Sequence, residues 1–298
     1  MPLHSIVLAK QVPDTTDITP RAMKADGTLN RSALPAVLNQ DDLHALEMAL
    51  AVKDEHGGTV TIITMGPSAA ADILREALYR GADRAILLTD RRFAAADTLA
   101  TSYTLSAAVN KIKTFDLIFC GREASDGNTA QVGPQVAEKL GIPQITCVDQ
   151  ICSLDGGRLE ARRLSDEGCE RVRAILPLLI TVISDSNEPR PPAAKRLMRF
   201  KKALTPGEVK KRIGAEGASD QMFESRCRAL KDRGLLIEEW NGDDLAIDPS
   251  RCGRAGSPTW VKKIERVVLT GGEHKSYPAT DEGVHQLMHE LMEEHTFG

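Results

Sequence analysis

Over the first 150 residues, short aliphatic runs alternate with longer amphipathic ones. Ser5–Ala9, Thr59–Thr64, Ala85–Leu88, Leu117–Cys120 and Ile145–Val148 are β-branched or aliphatic and of strand length. Between them, Leu43, Leu46, Ala49 and Leu50 recur at helical spacing behind Asp41 and Asp42, which suit a helix start, and Gly57-Gly58 closes the run. Ile73, Leu74, Ala77 and Leu78 follow Ser68, a candidate cap, with Gly81 past the end. Asp97–Ile112 and Ala130–Leu140 read as two further helices. Strands apolar on both faces and separated by helices predict an α/β protein with a doubly wound, mostly parallel sheet. In such sheets ligands bind beyond the strands' carboxyl ends, where the next helix offers free N–H groups.

After Gln150 the period changes. Arg158–Leu164 and Cys169–Leu176 alternate polar and apolar positions around Ser165–Gly168, which predicts a β-hairpin, and Leu178–Ile183 reads as one more buried strand. Asn187–Pro192 cannot lie inside a helix. The chain therefore divides into an α/β domain over 1–186 and an extended C-terminal arm over 187–298 that would pack on a partner. Between Pro189 and Arg212 stand nine Lys or Arg and one acid, Glu208, punctuated by Leu197, Met198, Phe200 and Leu204. Near the end, Val284, Leu287, Met288, Leu291 and Met292 form one apolar helical stripe that needs a surface to cover it, flanked by His285 and His289.

Composition narrows the function more than the fold. The 298 residues are 42% hydrophobic and 27% charged with a net charge of −4, ordinary for a globular chain and without a basic field. With eleven aromatic residues and no nucleic-acid motif, base-stacking surfaces are not expected. No run of eighteen apolar residues occurs, so no membrane span is expected; the start lacks a basic n-region and cleavage site, so a cytoplasmic protein is expected. Six cysteines lie apart without a C-x-x-C, which argues against a disulfide scaffold, a zinc ribbon or an iron–sulfur cluster. Redox chemistry, if present, would sit on a borrowed cofactor, and no metal site is expected.

Neither a P-loop nor G-x-G-x-x-G is present. Three other strand-to-helix junctions are candidates. Met65-Gly66-Pro67 follows a strand, and Gly66 permits close approach. Asp97-Thr98 opens a helix with Thr101 and Ser102 one turn on, either as a cap or as ligand contacts. The third, Gly121–Pro134, leaves a strand and loops through small polar residues into a helix. There Gly127 permits a tight turn, and Asn128, Thr129 and Gln131 converge on the helix start. This suits a pyrophosphate, or equally a polar loop with a cap.

Several ordered blocks carry a family resemblance: Lys10-Gln-Val-Pro-Asp-Thr15, Asn39-x-x-Asp42-x-x-Ala45-Leu46-Glu47, Met65-Gly-Pro67, Gly81-Ala-Asp83, Gly121–Pro134, Asn187-Glu-Pro-Arg190 and Ala255-Gly-Ser-Pro-Thr259. With them the chain resembles, over nearly its whole length, the beta subunit of electron-transfer flavoproteins. The resemblance implies an adenine-nucleotide-hydrolase-like domain paired with a flavin-bearing alpha subunit, and no acid–base catalytic side chain. In simpler members the pocket holds structural AMP; in electron-bifurcating members it holds FAD, with NADH as electron donor and a flavin dehydrogenase and a low-potential carrier such as ferredoxin as acceptors. By position the nucleotide contacts become Leu8, Ala9, Asn39, Asp42, Met65 and Gly66. The loop supplies Gly121, Arg122, Asp126, Gly127, Asn128, Thr129, Ala130, Gln131 and Val132. Asp90–Ser102 is similar to the bifurcating pattern D-R-x-F-A-G-x-D-T-x-A-T-S and implies FAD contacts at Asp97, Thr98, Thr101 and Ser102. Departures are Ala95 where glycine is usual, Glu123 and Asn128 where Gln and Asp are common, and Ala194 at a leucine that anchors acyl-CoA dehydrogenases. The rival readings are a non-bifurcating AMP-binding beta subunit and a stand-alone, stress-type ATP-binding module.

Overall fold

A computed structural model describes residues 2–14, 35–214, 220–259 and 275–293. They belong to two compact units, Met1–Thr259 and Trp260–Gly298. The first runs β1 (Leu3–Leu8), β2 (Gln11–Pro13), β3 (Ala36–Leu38), α1 (Gln40–His56), β4 (Gly58–Met65), α2 (Ala71–Arg80), β5 (Arg84–Leu88), α3 (Thr98–Ile112), β6 (Leu117–Gly121) and α4 (Val132–Leu140). It continues through β7 (Gln144–Asp155), β8 (Arg158–Ser165), β9 (Gly168–Ile175), β10 (Leu178–Val182), α5 (Ala194–Phe200), α6 (Pro206–Gly214), α7 (Asp220–Asp232) and β11 (Glu238–Trp240). The second unit contributes α8 (Asp281–Glu293).

Nine strands form one sheet in the order β11-β5-β4-β1-β6-β10-β7-β8-β9, and β2 pairs with β3 separately. Neighbours from β11 to β7 are parallel; β8 and β9 continue the sheet as an antiparallel meander. Successive side chains of a strand point to opposite faces. Val7, Ile62, Leu87 and Phe119 therefore meet Leu46, Leu50, Ile73 and Leu74 of α1 and α2. Ile6, Ile63, Ile86 and Ile118 meet Leu105, Val109 and Val136 of α3 and α4 on the opposite face. This is the doubly wound α/β sheet expected from continuous apolar strands. The strand order reverses between β1 and β6, which opens the crevice where such sheets bind ligands.

Local details depart from expectation. Asp41 and Asp42 are not caps: α1 begins at Gln40 behind Asn39, and both carboxylates are buried. Ser68 opens a 3₁₀ turn rather than capping α2. Asp97 does cap α3, accepting from Ala100 N at 3.0 Å. β7 is twelve residues long, not four. Thr146 and Cys147 together face Thr181 alone in the ladder with β10, and Cys147 carries φ +57°. That bulge bends β7 out of the parallel sheet, and Gly156 and Gly157, at φ +57° and +76°, turn it into β8.

The reading of 187–298 as an extended arm does not describe residues 194–259. Phe200, Ala203, Leu235 and Ile237 join the core under α1 and α2, and β11 pairs with β5 at the sheet edge. The return is pinned through the Asn187–Arg190 block: Asn187 Nδ2 donates to His44 O (3.0 Å), and Arg190 binds Glu47 (2.9 Å) and Asp54 (2.8 Å) on α1. On α8 the apolar stripe is exposed within its own unit, Val284 by 57% and Met292 by 55%. Among the described residues no group of His, Cys, Asp and Glu could hold a metal, and no helix is long and apolar enough to cross a membrane.

Candidate functional site

The crevice lies where β1 ends at Ala9-Lys10 and β6 ends at Gly121. Three residues at the head of α1 tie these ends together. Asp42 accepts from Lys10 N (2.8 Å) through Oδ2 and from Gly121 N (2.8 Å) through Oδ1. Asp41 accepts from Ser184 Oγ (2.8 Å) and Glu123 N (3.3 Å). Asn39 donates to Glu123 O (2.8 Å) and accepts from Ser125 N (3.1 Å). A Cβ on Gly121 would stand 2.5 Å from Asp41 Cβ and 2.7 Å from Asp42 Oδ1, so only glycine fits against this helix. Burial pushes the Asp42 carboxyl up to about 7, against the opposing pull of the Gly121, Lys10 and Asn39 hydrogen bonds. Burial, and secondarily Asp42, holds the Cys120 thiol well above its ordinary range.

Past Ser125 the loop is exposed and differently built. Lys10 Nζ reaches Asp126 at 2.6 Å. Gly127 is not in the left-handed region and a Cβ there would have nothing within 4 Å, so the tight turn expected at this glycine lies elsewhere. Asn128 and Ala130 take the positive φ instead, at +47° and +53°; asparagine tolerates this region because its short amide bonds locally. Turned toward the Ser125 carbonyl, Asn128 Nδ2 donates at 2.9 Å. From Thr129 through Gly133, five successive backbone N–H groups donate to no protein acceptor among the described residues. They lead into the positive end of α4.

The head of α3 stands beside this loop. Thr98 Oγ1 donates to Gln131 Oε1 (2.9 Å) and accepts from Gln135 Nε2 (3.3 Å), so two junctions chosen separately in the sequence meet. Ser102 is fully buried and committed to Leu99 O and Gln135 Oε1. Thr101 Oγ1 has no hydrogen bond among the described residues and is partly exposed. The Asp97 carboxylate is also committed, accepting from Ala100 N, Thr259 N (3.1 Å) and Thr259 Oγ1 (2.8 Å). Asp97 N donates to Ser257 Oγ at 2.8 Å, so the Ala255–Thr259 block serves to fix this junction.

The remaining candidates sit differently. Leu8 turns its side chain into the core, leaving only its backbone at the crevice, and Gly66 N donates to Leu88 O (3.0 Å). Arg122 pairs with Glu123 (2.7 Å). Lys10, Gln135 and Ser184 lie outside the site residues the sequence singles out; the one signal was Gln135, a helical turn beyond Gln131. A cleft of about 370 Å³ lies between Arg91, Ala94, Ala95, Cys252 and Arg254, and another of about 410 Å³ between Leu99, Tyr103, Lys139, Arg251 and Pro258. Both flank the Asp90–Ser102 segment rather than the β1–β6 crevice. There Asp90 is held well below the usual carboxylate range by its hydrogen bonds from Arg92.

Fold and site together define a doubly wound α/β protein with an anion-receptive loop at its switch point. The electron transfer flavoprotein domain matches residues 26–204. The chain is 39% identical to the electron transfer flavoprotein subunit beta of Clostridium acetobutylicum, over 98% of this chain and 99% of that one. It is 40% identical to protein FixA of Azorhizobium caulinodans, over 88% and 84%. It is 37% identical to the caffeyl-CoA reductase-Etf complex subunit CarD of Acetobacterium woodii, over 98% and 99%. The chain belongs to the electron transfer flavoprotein family and is of the beta-subunit type. Membership implies a flavin or nucleotide cofactor and sets aside the stand-alone module.

Proposed function

We propose that this chain pairs with an alpha subunit to form a bifurcating electron-transfer flavoprotein and holds FAD at the β1–β6 crevice. The observation that carries this is the row of free N–H groups over 129–133. Oriented amides at a helix start suit a diphosphate, and the Thr98–Gln131 bond joins that row to the segment that resembles the bifurcating pattern. The chain's part is to bind and orient. Amides of 129–133 with Asn128 and Thr129 would take the diphosphate. Thr98 and Thr101 would face the remainder, with Ser102 and Asp97 fixing the backbone behind them. Ala9, Met65 and the helix head at Asn39 would border the adenosine end. When bound, FAD would supply the two-electron chemistry, accepting hydride from NADH and passing electrons to a ferredoxin-type carrier and, through the alpha subunit, to a flavin dehydrogenase.

Structural AMP is the second reading, favoured by Ala95. At φ +57° this residue occupies a conformation that suits the glycine of the bifurcating pattern better than alanine. Flavin and adenine nucleotide counted per purified heterodimer decide. Two flavins and no AMP support the proposal, one flavin with AMP supports the second reading, and neither in the beta subunit overturns both. For partners, the reading places the exposed stripe of α8 and the exposed Leu197 and Met198 of α5 against other subunits.

A further inference from the structure

Asp42 was expected to touch the nucleotide, yet both its oxygens are spent on backbone N–H groups, one from each strand end across the crevice. A carboxylate only accepts; once protonated, one oxygen carries O–H and becomes a donor. That O–H oxygen is a weaker acceptor than a carboxylate oxygen, so its bond to Lys10 N or to Gly121 N is weakened. Gly121 leads directly into the loop that ends in the free amides of 129–133.

We propose that Asp42 is a positioning residue whose ionised carboxylate latches the nucleotide loop to the end of β1, and whose protonation loosens the loop and weakens nucleotide binding. This rests on the nucleotide reading of the crevice. The surroundings let a proton reach Asp42 near neutrality. Asp41, on the same helical turn, is a second acid. From β6 the neighbouring titratable group is the Cys120 thiol. The Lys10 ammonium is drawn away to Asp126, Arg122 is paired with Glu123, and His44 one turn on binds Gln40 and Asn187. No cationic side chain touches Asp42 among the described residues, so burial and the charge of Asp41 raise its carboxyl to about 7.

The test uses the full chain with its partner subunit. Adenine nucleotide retained after dialysis is measured between about pH 6 and pH 8.5 for the wild type, Asp42→Asn and Asp41→Asn. In the wild type, nucleotide affinity should fall by up to about tenfold per pH unit below a midpoint near neutrality, as one linked proton requires. Asp42→Asn, which presents one acceptor and one donor permanently, should bind at the weak, acid level with no such transition. Asp41→Asn should keep the transition and move its midpoint to lower pH, a shift that simple loss of structure does not produce. A flat wild-type profile, or Asp42→Asn with the wild-type slope, overturns the latch. Hydrogen exchange at the Lys10 and Gly121 amides, corrected for intrinsic rate, judges the latch without nucleotide. At least one of the two should lose protection below the midpoint in the wild type, and neither should show a transition in Asp42→Asn. Protection of both that is independent of pH in the wild type overturns it. A protein that carries no nucleotide at any pH but shows the exchange transition refutes the nucleotide reading and leaves the latch standing.

Discussion

Two glycines of one loop carry different constraints. Gly121 lies against Asp41, and a methyl group there would meet that residue's backbone carbonyl carbon at 2.8 Å. Gly121→Ala should therefore cost about 2–3 kcal/mol, as overpacking against fixed backbone does, and lower the chemical-denaturation midpoint. Gly127 has open space and ordinary φ; Gly127→Ala should stay within about 0.5 kcal/mol of the wild type. A large loss at Gly127 would contradict the described loop. Ala95 gives the reverse case. Glycine there would relieve a left-handed conformation costing about 1 kcal/mol, offset by about 0.5 kcal/mol of unfolded-chain entropy, so Ala95→Gly should raise stability slightly. Asp42 links stability to pH. Its carboxyl is raised from 3.8 to about 7 on folding, so its contribution is fully present below the lower value and lost as pH rises through the upper one. Wild type should lose about 2.5 kcal/mol relative to Asp42→Asn between about pH 5 and pH 8, read from paired denaturation curves. Hydroxyls and amides at strand ends were legible as candidates, although structural bonds also claim them, as Asp97 and Ser102 show. The structural role of Asp41 and Asp42 was not, because acids at a helix start look like caps whether they face solvent or the sheet.

At the scale of elements, strands buried on both faces announce themselves as aliphatic and β-branched runs that no Asp, Glu or Lys interrupts. β11 does not. Its sequence Glu238-Glu239-Trp240 has no strand pattern, and it is held from outside: Arg84 binds Glu238 through both guanidinium arms (2.6 and 2.8 Å). The buried Trp240 ring meets Arg84 at 5.6 Å and Lys111 at 4.7 Å. These partners lie far apart in sequence, so no local window contains the signal. Trp240→Ala should cost about 3 kcal/mol through lost packing and cation–π contacts and should lower protection of the Thr89 amide at the sheet edge, since Thr89 N donates to Trp240 O at 3.0 Å. Unchanged exchange at Thr89 would mean β11 is held without its tryptophan. The bulge at Cys147 was hidden for a similar reason: its unpaired N–H is taken by Thr181 Oγ1 (3.0 Å), thirty-four residues away.

For the whole molecule, the packed core of the first unit extends further along the chain than the Asn187–Pro192 break suggests. A proline-rich break marks a change of direction, and only packing shows whether the chain leaves the domain or returns to it. Here it returns: ending the chain at 187 would strip Phe200, Ala203, Leu235, Ile237 and β11 from the first unit and expose the apolar surface they cover. That truncation should lower the melting temperature or prevent folding. Ending at Thr259 removes the second unit and leaves the first with its core complete. What is lost is α8, whose exposed Val284, Leu287, Met288 and Met292 amount to an apolar face without a partner among the described residues. The chain ending at Thr259 should melt within a few degrees of the full chain yet bind the alpha subunit at least tenfold more weakly, measured by titration and by co-purification. Charge steers such an association and apolar burial holds it, so the loss should appear mainly as faster dissociation. If the shortened chain retains the alpha subunit with undiminished affinity, the α8 stripe serves some other surface and the pairing rests on residues before 260.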